Sequence, residues 1–117
     1  MKLTERPAGD VTVLELNGRL VLEDGDTMLR DRVNDLIARG RLRVVVNLKD
    51  VNYIDSCGIG VLIAKLVSLR NKGGDLKLVH ISPRSFRVLE ICKLEEVFEC
   101  YESENAAVAS FSSRQGV

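Results

Sequence analysis

Val44-Val45-Val46-Asn47-Leu48, followed after a short polar stretch by Asp55-Ser56-Cys57-Gly58-Ile59-Gly60-Val61-Leu62, is the part of the chain that decides the fold. The first run is almost continuously apolar, the pattern of a strand covered on both faces in a largely parallel sheet. Beyond it, Ile59, Leu62, Ile63, Leu66 and Val67 recur at i, i+3, i+4, i+7 and i+8, which predicts a helix with one core-facing stripe. A buried strand feeding such a helix is half of a parallel crossover unit.

The same alternation extends to both sides. Upstream, Leu29, Val33, Leu36 and Ile37 share a helical face, with Asp26 and Thr27 as candidate N-caps and Gly40 as the stop. Before that helix, Leu3–Glu5 reads as a short edge strand and Arg6-Pro7-Ala8-Gly9-Asp10 as a turn. Val11–Leu16 is a second strand. Asn17-Gly18 is a hairpin signal, with Arg19–Leu22 as the returning strand. Downstream, Asn71-Lys72-Gly73-Gly74 ends the central helix and Leu76–Ile81 alternates as a strand. Ser82-Pro83 caps and opens a helix whose buried side would be Phe86, Leu89 and Ile91 or Cys92. Val97–Tyr101 is a last strand, and Ser103 caps a final helix carrying Ala107, Val108 and Phe111. The expected class is α/β, a mixed sheet of four to five strands with about four helices packed against it. The whole chain forms one domain with its core at about 3–111 and a flexible tail at Ser112–Val117.

Composition narrows the function. The 117 residues include 45% apolar and 29% charged side chains, enough for one self-sufficient core. Lysine plus arginine equals aspartate plus glutamate at 17 each, which argues against a direct nucleic-acid binder. No run is long enough to span a membrane, and the first residues do not resemble a signal peptide, so the cytoplasm is the expected compartment. Cys57, Cys92 and Cys100 are odd in number and form no CxxC pair, so neither a disulfide framework nor a metal site is expected. His80 is the sole histidine. Ser56 lacks the Gly-x-Ser-x-Gly elbow of a hydrolase nucleophile, and no Walker-type phosphate loop is present, so no catalytic residue and no cofactor are expected. Arg39, Arg41 and Arg43 read as solvated cations at a helix end.

The candidate site is the loop-to-helix segment. Asp55 or Ser56 can satisfy free amides of the first helical turn. Gly58 and Gly60 each cost up to about 1 kcal/mol in a helix. Either close packing on a neighbouring element or close approach of a partner accounts for that cost. Ser56 is a cap in the structural reading and a phosphoacceptor in the functional one. A phosphoserine would bring about −1.5 to −2 charges, which a helix start tolerates and an apolar or acidic partner surface does not.

In this setting the Asp-Ser-x-Gly-x-Gly stretch, with Val44–Leu48 before it, resembles the hallmark of STAS domains, named for sulfate transporters and anti-sigma factor antagonists. Gly73-Gly74-Asp75-Leu76-Lys77-Leu78, the Ser82-Pro83 helix and Ile91-Cys92-Lys93-Leu94 leading into Val97-Phe98 are also similar. The resemblance covers roughly Leu3 to Phe111. It implies a freestanding bacterial anti-sigma factor antagonist, a binding protein and kinase substrate rather than an enzyme. Such a protein binds an anti-sigma factor that is also a serine kinase. It is switched off when that kinase phosphorylates the serine after the aspartate, here Ser56, and a serine phosphatase reverses the change. The implied partner surface is Asp55, Ser56, Cys57, Gly58, Ile59 and Gly60, joined by Asp24 and Asp26 of the acidic turn. The chain departs from the family at two places. Cys57 stands where many members have Ser or Thr. Gly18-Arg19-Leu20-Val21 stands where members often show Gly-Glu-Leu-Asp, so the acidic turn would have to compensate. The alternatives are a constitutive scaffold or transport-system subunit without a phosphate cycle, and a nucleotide- or small-ligand-binding domain using the Gly58 and Gly60 amides.

Overall fold

The computed structural model describes the backbone of residues 1–115 and the side chains of 1–111. Five strands form one sheet in the order β1-β2-β3-β4-β5. β1 (Lys2–Ala8) pairs antiparallel with β2 (Val11–Leu20). β3 (Arg43–Ile54), β4 (Asp75–Val79) and β5 (Glu99–Tyr101) then follow in parallel. The crossovers carry α1 (Gly25–Ala38), α2 (Ser56–Asn71) and α3 (Pro83–Ile91), and α4 (Glu104–Gln115) closes the chain. The tail expected at 112–117 falls mostly outside the described residues, although the α4 backbone continues to Gln115.

Strand alternation divides the interior in two. Leu14, Leu16, Val44, Val46, Leu48, Leu76 and Leu78 point to one face, where Leu29, Val33 and Leu36 of α1 and Ile59, Leu62, Leu66 and Leu69 of α2 cover them. Val11, Val13, Val45 and Val79 point to the other, beneath Ala107 and Phe111 of α4. Lys77 is fully buried on that second face. Its Nζ lies 2.5 Å from Ser110 Oγ, 3.5 Å from Glu99 and 4.3 Å from the centre of the Phe111 ring. Arg6 on β1 is hydrogen-bonded to Glu104 at the start of α4, and Asn47 Nδ2 adds a bond at 3.3 Å. The Arg6 bond, against the opposing effect of burial, holds the Glu104 carboxyl below its ordinary range.

Several local expectations are corrected. Asn17-Gly18 does not turn the chain, because β2 runs through it to Leu20. Gly18 takes a φ of +122° within a bulged stretch whose register against β3 shifts on either side of it. The competing force is burial: Leu20 is fully enclosed at the end of the strand, which a hairpin at Asn17 would have prevented. The hairpin lies instead at Gly9-Asp10, and Pro7 sits in the edge strand, where its missing N–H costs no ladder bond on the open side. α1 starts at Gly25, ahead of both proposed caps, and its N-cap residue Asp24 makes no capping bond. In α2 the buried stripe includes Val61 and Leu69, while Val67 is 49% exposed. Ile59, Leu62 and Leu66 are buried and Ile63 half-buried as the spacing predicts, but the helix is apolar on more than one side, so the pattern misplaces Val67. Ile91 and Cys92, at the end of the short α3, are exposed rather than buried.

Candidate functional site

The site begins with one carboxylate. Asp55 is the residue between β3 and α2, with an extended backbone, and it serves as the N-cap of α2. Its Oδ1 accepts from the Gly58 amide at 2.8 Å. Its Oδ2 accepts from the Leu22 amide at 3.1 Å, and its own N–H donates to the Leu20 carbonyl at 3.3 Å. One side chain therefore caps the helix and ties it to the loop between β2 and α1. Burial pushes the Asp55 carboxyl up, but backbone N–H groups of Gly58, Leu22, Cys57 and Asp55 itself outweigh it and hold the group below the usual carboxylate range.

Ser56 is the first helical residue and is exposed, while Cys57 is half-buried. Gly58 and Ile59 face inward. A Cβ on Gly58 would sit 2.2 Å from the Leu20 carbonyl oxygen and 2.9 Å from Leu20 Cγ, so this glycine permits two backbones to meet. Gly60 has nothing within 4 Å of the corresponding position and is exposed. Close packing therefore accounts for Gly58, whereas no neighbouring element requires a glycine at position 60. The Gly58 amide is also committed to Asp55, which leaves it unable to cradle a phosphate.

Sequence position did not reveal the apolar surroundings. Leu22 is 59% exposed beside Asp55, and Tyr53, at the end of β3, is 47% exposed. Ser56, Gly60, Ala64 and Val67 recur at helical spacing along the outer side of α2, all exposed and all uncharged. The sequence places Leu22 at the end of a returning strand; in the structure it is an exposed residue of the loop between β2 and α1. The acidic turn is less available than its composition implied. Asp24 pairs with the Met1 ammonium at 2.8 Å, which holds its carboxyl below the usual range. Asp26 is buried and accepts from the Thr27 amide at 2.7 Å.

Other candidates lie elsewhere. β4 ends opposite Asn47, while β3 continues to Ile54, so His80 and Ser56 are separated by roughly 20 Å of strand at about 3.3 Å per residue. They cannot form a catalytic pair. Arg39 pairs with Glu5 and Asp35, Arg41 donates to Thr12 Oγ1 at 3.2 Å, and Arg43 faces Asp10 at 3.7 Å. Among the described residues no group of His, Cys, Asp and Glu is placed to hold a metal ion, and no helix is long and apolar enough to cross a membrane.

Comparison with known proteins places this arrangement. The chain matches the model of the STAS domain over residues 4–107. It is 27% identical over 95 residues to the anti-sigma F factor antagonist of Paenibacillus polymyxa, covering 80% of each chain. It is 36% identical over 73 residues to the anti-sigma-B factor antagonist of Bacillus subtilis, covering 62% of this chain and 65% of that one. Among solved structures, a Thermotoga maritima protein provisionally described as an anti-sigma factor antagonist superposes with a TM-score of 0.86 at 27% identity, over 92% of both chains. The Bacillus cell fate determinant SpoIIAA in its phosphorylated form superposes with a TM-score of 0.75 at 19% identity, over 94% of this chain and 99% of that one, a likeness of fold.

Proposed function

This chain belongs to the STAS domain family, and from that premise we propose that it is an anti-sigma factor antagonist that binds an anti-sigma factor with serine-kinase activity and is switched off by phosphorylation of Ser56. In this reading it is a kinase substrate and binding module of the cytoplasm, not an enzyme, and a serine phosphatase resets it. The observation that carries the reading is the exposure of Ser56 at the first position of α2, next to an aspartate whose carboxylate is already held by backbone amides. Such a hydroxyl is open to a kinase, and the helix start tolerates the added charge without unfolding. The apolar collar of Leu22, Tyr53, Gly60, Ala64 and Val67 is the surface on which that charge is costly, since a phosphate buried against apolar groups loses its hydration. The names of the relatives supply the partner class.

A second reading is favoured by one observation. The acidic residues that would replace the missing family carboxylate are engaged or buried: Asp24, before α1, pairs with the Met1 ammonium, and Asp26, in the first turn of α1, is buried. A scaffold that binds its partner constitutively needs no kinase contact there. Incubation with the cognate anti-sigma kinase and ATP, followed by mass-spectrometric location of the phosphate, separates the two. Modification of Ser56 supports the switch. Modification confined to another residue, or none by a kinase that binds the chain, refutes it.

A further inference from the structure

A cleft of about 490 Å³ opens at the carboxyl end of β4 and β5, lined by His80, Ile81, Pro83, Phe86, Cys100, Tyr101 and Glu102. Its volume lies in the range of small-molecule sites. Its walls are held in place. The Tyr101 hydroxyl donates to Glu99 at 2.8 Å, which fixes the ring. His80 leaves β4 with a φ of +57° and is pinned by its amide to the Tyr101 carbonyl at 3.1 Å, so the imidazole stands at the cleft in an uncommon backbone state. Pro83 and Phe86, on the first turn of α3, form the opposite wall, with Ser82 capping the helix behind them. Burial pushes the Cys100 thiol up and keeps it neutral, an apolar surface.

Glu102 is the only carboxylate in the lining, it is exposed, and among the described residues no cation pairs with it. Aromatic and aliphatic walls with a carboxylate at the mouth suit a ligand with an apolar body and a positive nitrogen. We propose that this cleft is a second binding site, remote from Ser56, for a small amphipathic amine with its apolar body against Phe86, Pro83 and Ile81 and its ammonium at Glu102. The site stands apart from the Ser56 reading, since it uses other strands and another helix.

The test is a titration of the whole isotope-labelled chain, followed by amide NMR, with two probes of similar apolar body: phenethylamine and hydrocinnamate. Phenethylamine should shift His80, Ile81, Phe86 and Cys100 to Glu102 saturably, and should bind tighter than hydrocinnamate by up to about fivefold, the factor expected of an accessible charge pair. Glu102→Gln, a change at an exposed residue that leaves the fold intact, should remove that preference. Equal or tighter binding of the carboxylate, saturable shifts centred elsewhere, no saturable binding of either probe, or a preference that survives Glu102→Gln would overturn the proposal.

Discussion

Replacing Gly58 and Gly60 separately by alanine should move stability in opposite directions. At Gly58 the new methyl would meet the Leu20 carbonyl oxygen at 2.2 Å, Leu20 Cγ at 2.9 Å and Ile54 Cγ2 at 3.0 Å. The first of these is backbone and also accepts the Asp55 N–H, so relief requires moving α2 away from the end of β2. Overpacking of this kind costs up to about 3 kcal/mol. Better helix propensity returns up to about 1 kcal/mol, leaving a net loss of roughly 2 kcal/mol. At Gly60 no atom lies within 4 Å, so only the propensity gain acts and stability should rise by up to about 1 kcal/mol. For a domain of this size each kcal/mol shifts Tm by about 4 °C, which predicts roughly an 8 °C fall for Gly58→Ala and a rise of up to about 4 °C for Gly60→Ala. Urea denaturation monitored by circular dichroism reads both. A Gly58→Ala protein as stable as the parent would refute the close contact between α2 and β2, and with it the account of how Ser56 is positioned.

Three further outcomes follow from the same geometry. Asp55→Ala removes a cap bond and the bond to Leu22, and should lower unfolding free energy by about 2 kcal/mol in the same urea assay. The Asp24, Asp55 and Glu104 carboxyls are depressed in the fold, so their contribution to stability is complete above the ordinary carboxylate range of about pH 4 and is lost as pH falls through their lower folded-state values. A pH series of Tm should therefore be flat near neutrality and fall on the acid side, more shallowly in Asp55→Asn. Leu22→Asp, at an exposed loop tip, should change stability by no more than about 0.5 kcal/mol. It should nonetheless weaken anti-sigma factor binding about tenfold or more in calorimetric titration, whereas unchanged affinity would remove Leu22 from the partner surface.

Long-range order was legible where burial imposes a period. Val44–Leu48 reads as an inner strand and the Leu29, Val33, Leu36 face as a core-facing helix stripe, and both are buried so; the strand order is not in these patterns. Errors arose where a local signal competed with a distant one. Asn17-Gly18 carries strong hairpin chemistry, but the enclosure of Leu20 between elements remote in sequence outweighs it. Residue types narrow the cap of the central helix to Asp55 or Ser56, since few side chains can cap a helix start, and the structure assigns it to Asp55. The roles of the neighbouring residues were not legible in this way. Whether Gly58 or Gly60 packs depends on which side of α2 meets β2, and the engagement of Asp24 depends on Met1 lying beside the loop, neither of which is encoded within a short window.

The most direct measurement is the affinity of one preparation for its anti-sigma factor before and after enzymatic phosphorylation, with circular dichroism recorded on both forms. A doubly charged group introduced at Ser56, beside the Asp55–Leu22 contact and at the head of the uncharged outer side of α2, should weaken binding about 100-fold or more, some 2.7 kcal/mol, with the spectrum unchanged. Equal affinity of the two forms, or a loss accompanied by unfolding, would contradict a charge switch that acts on docking alone.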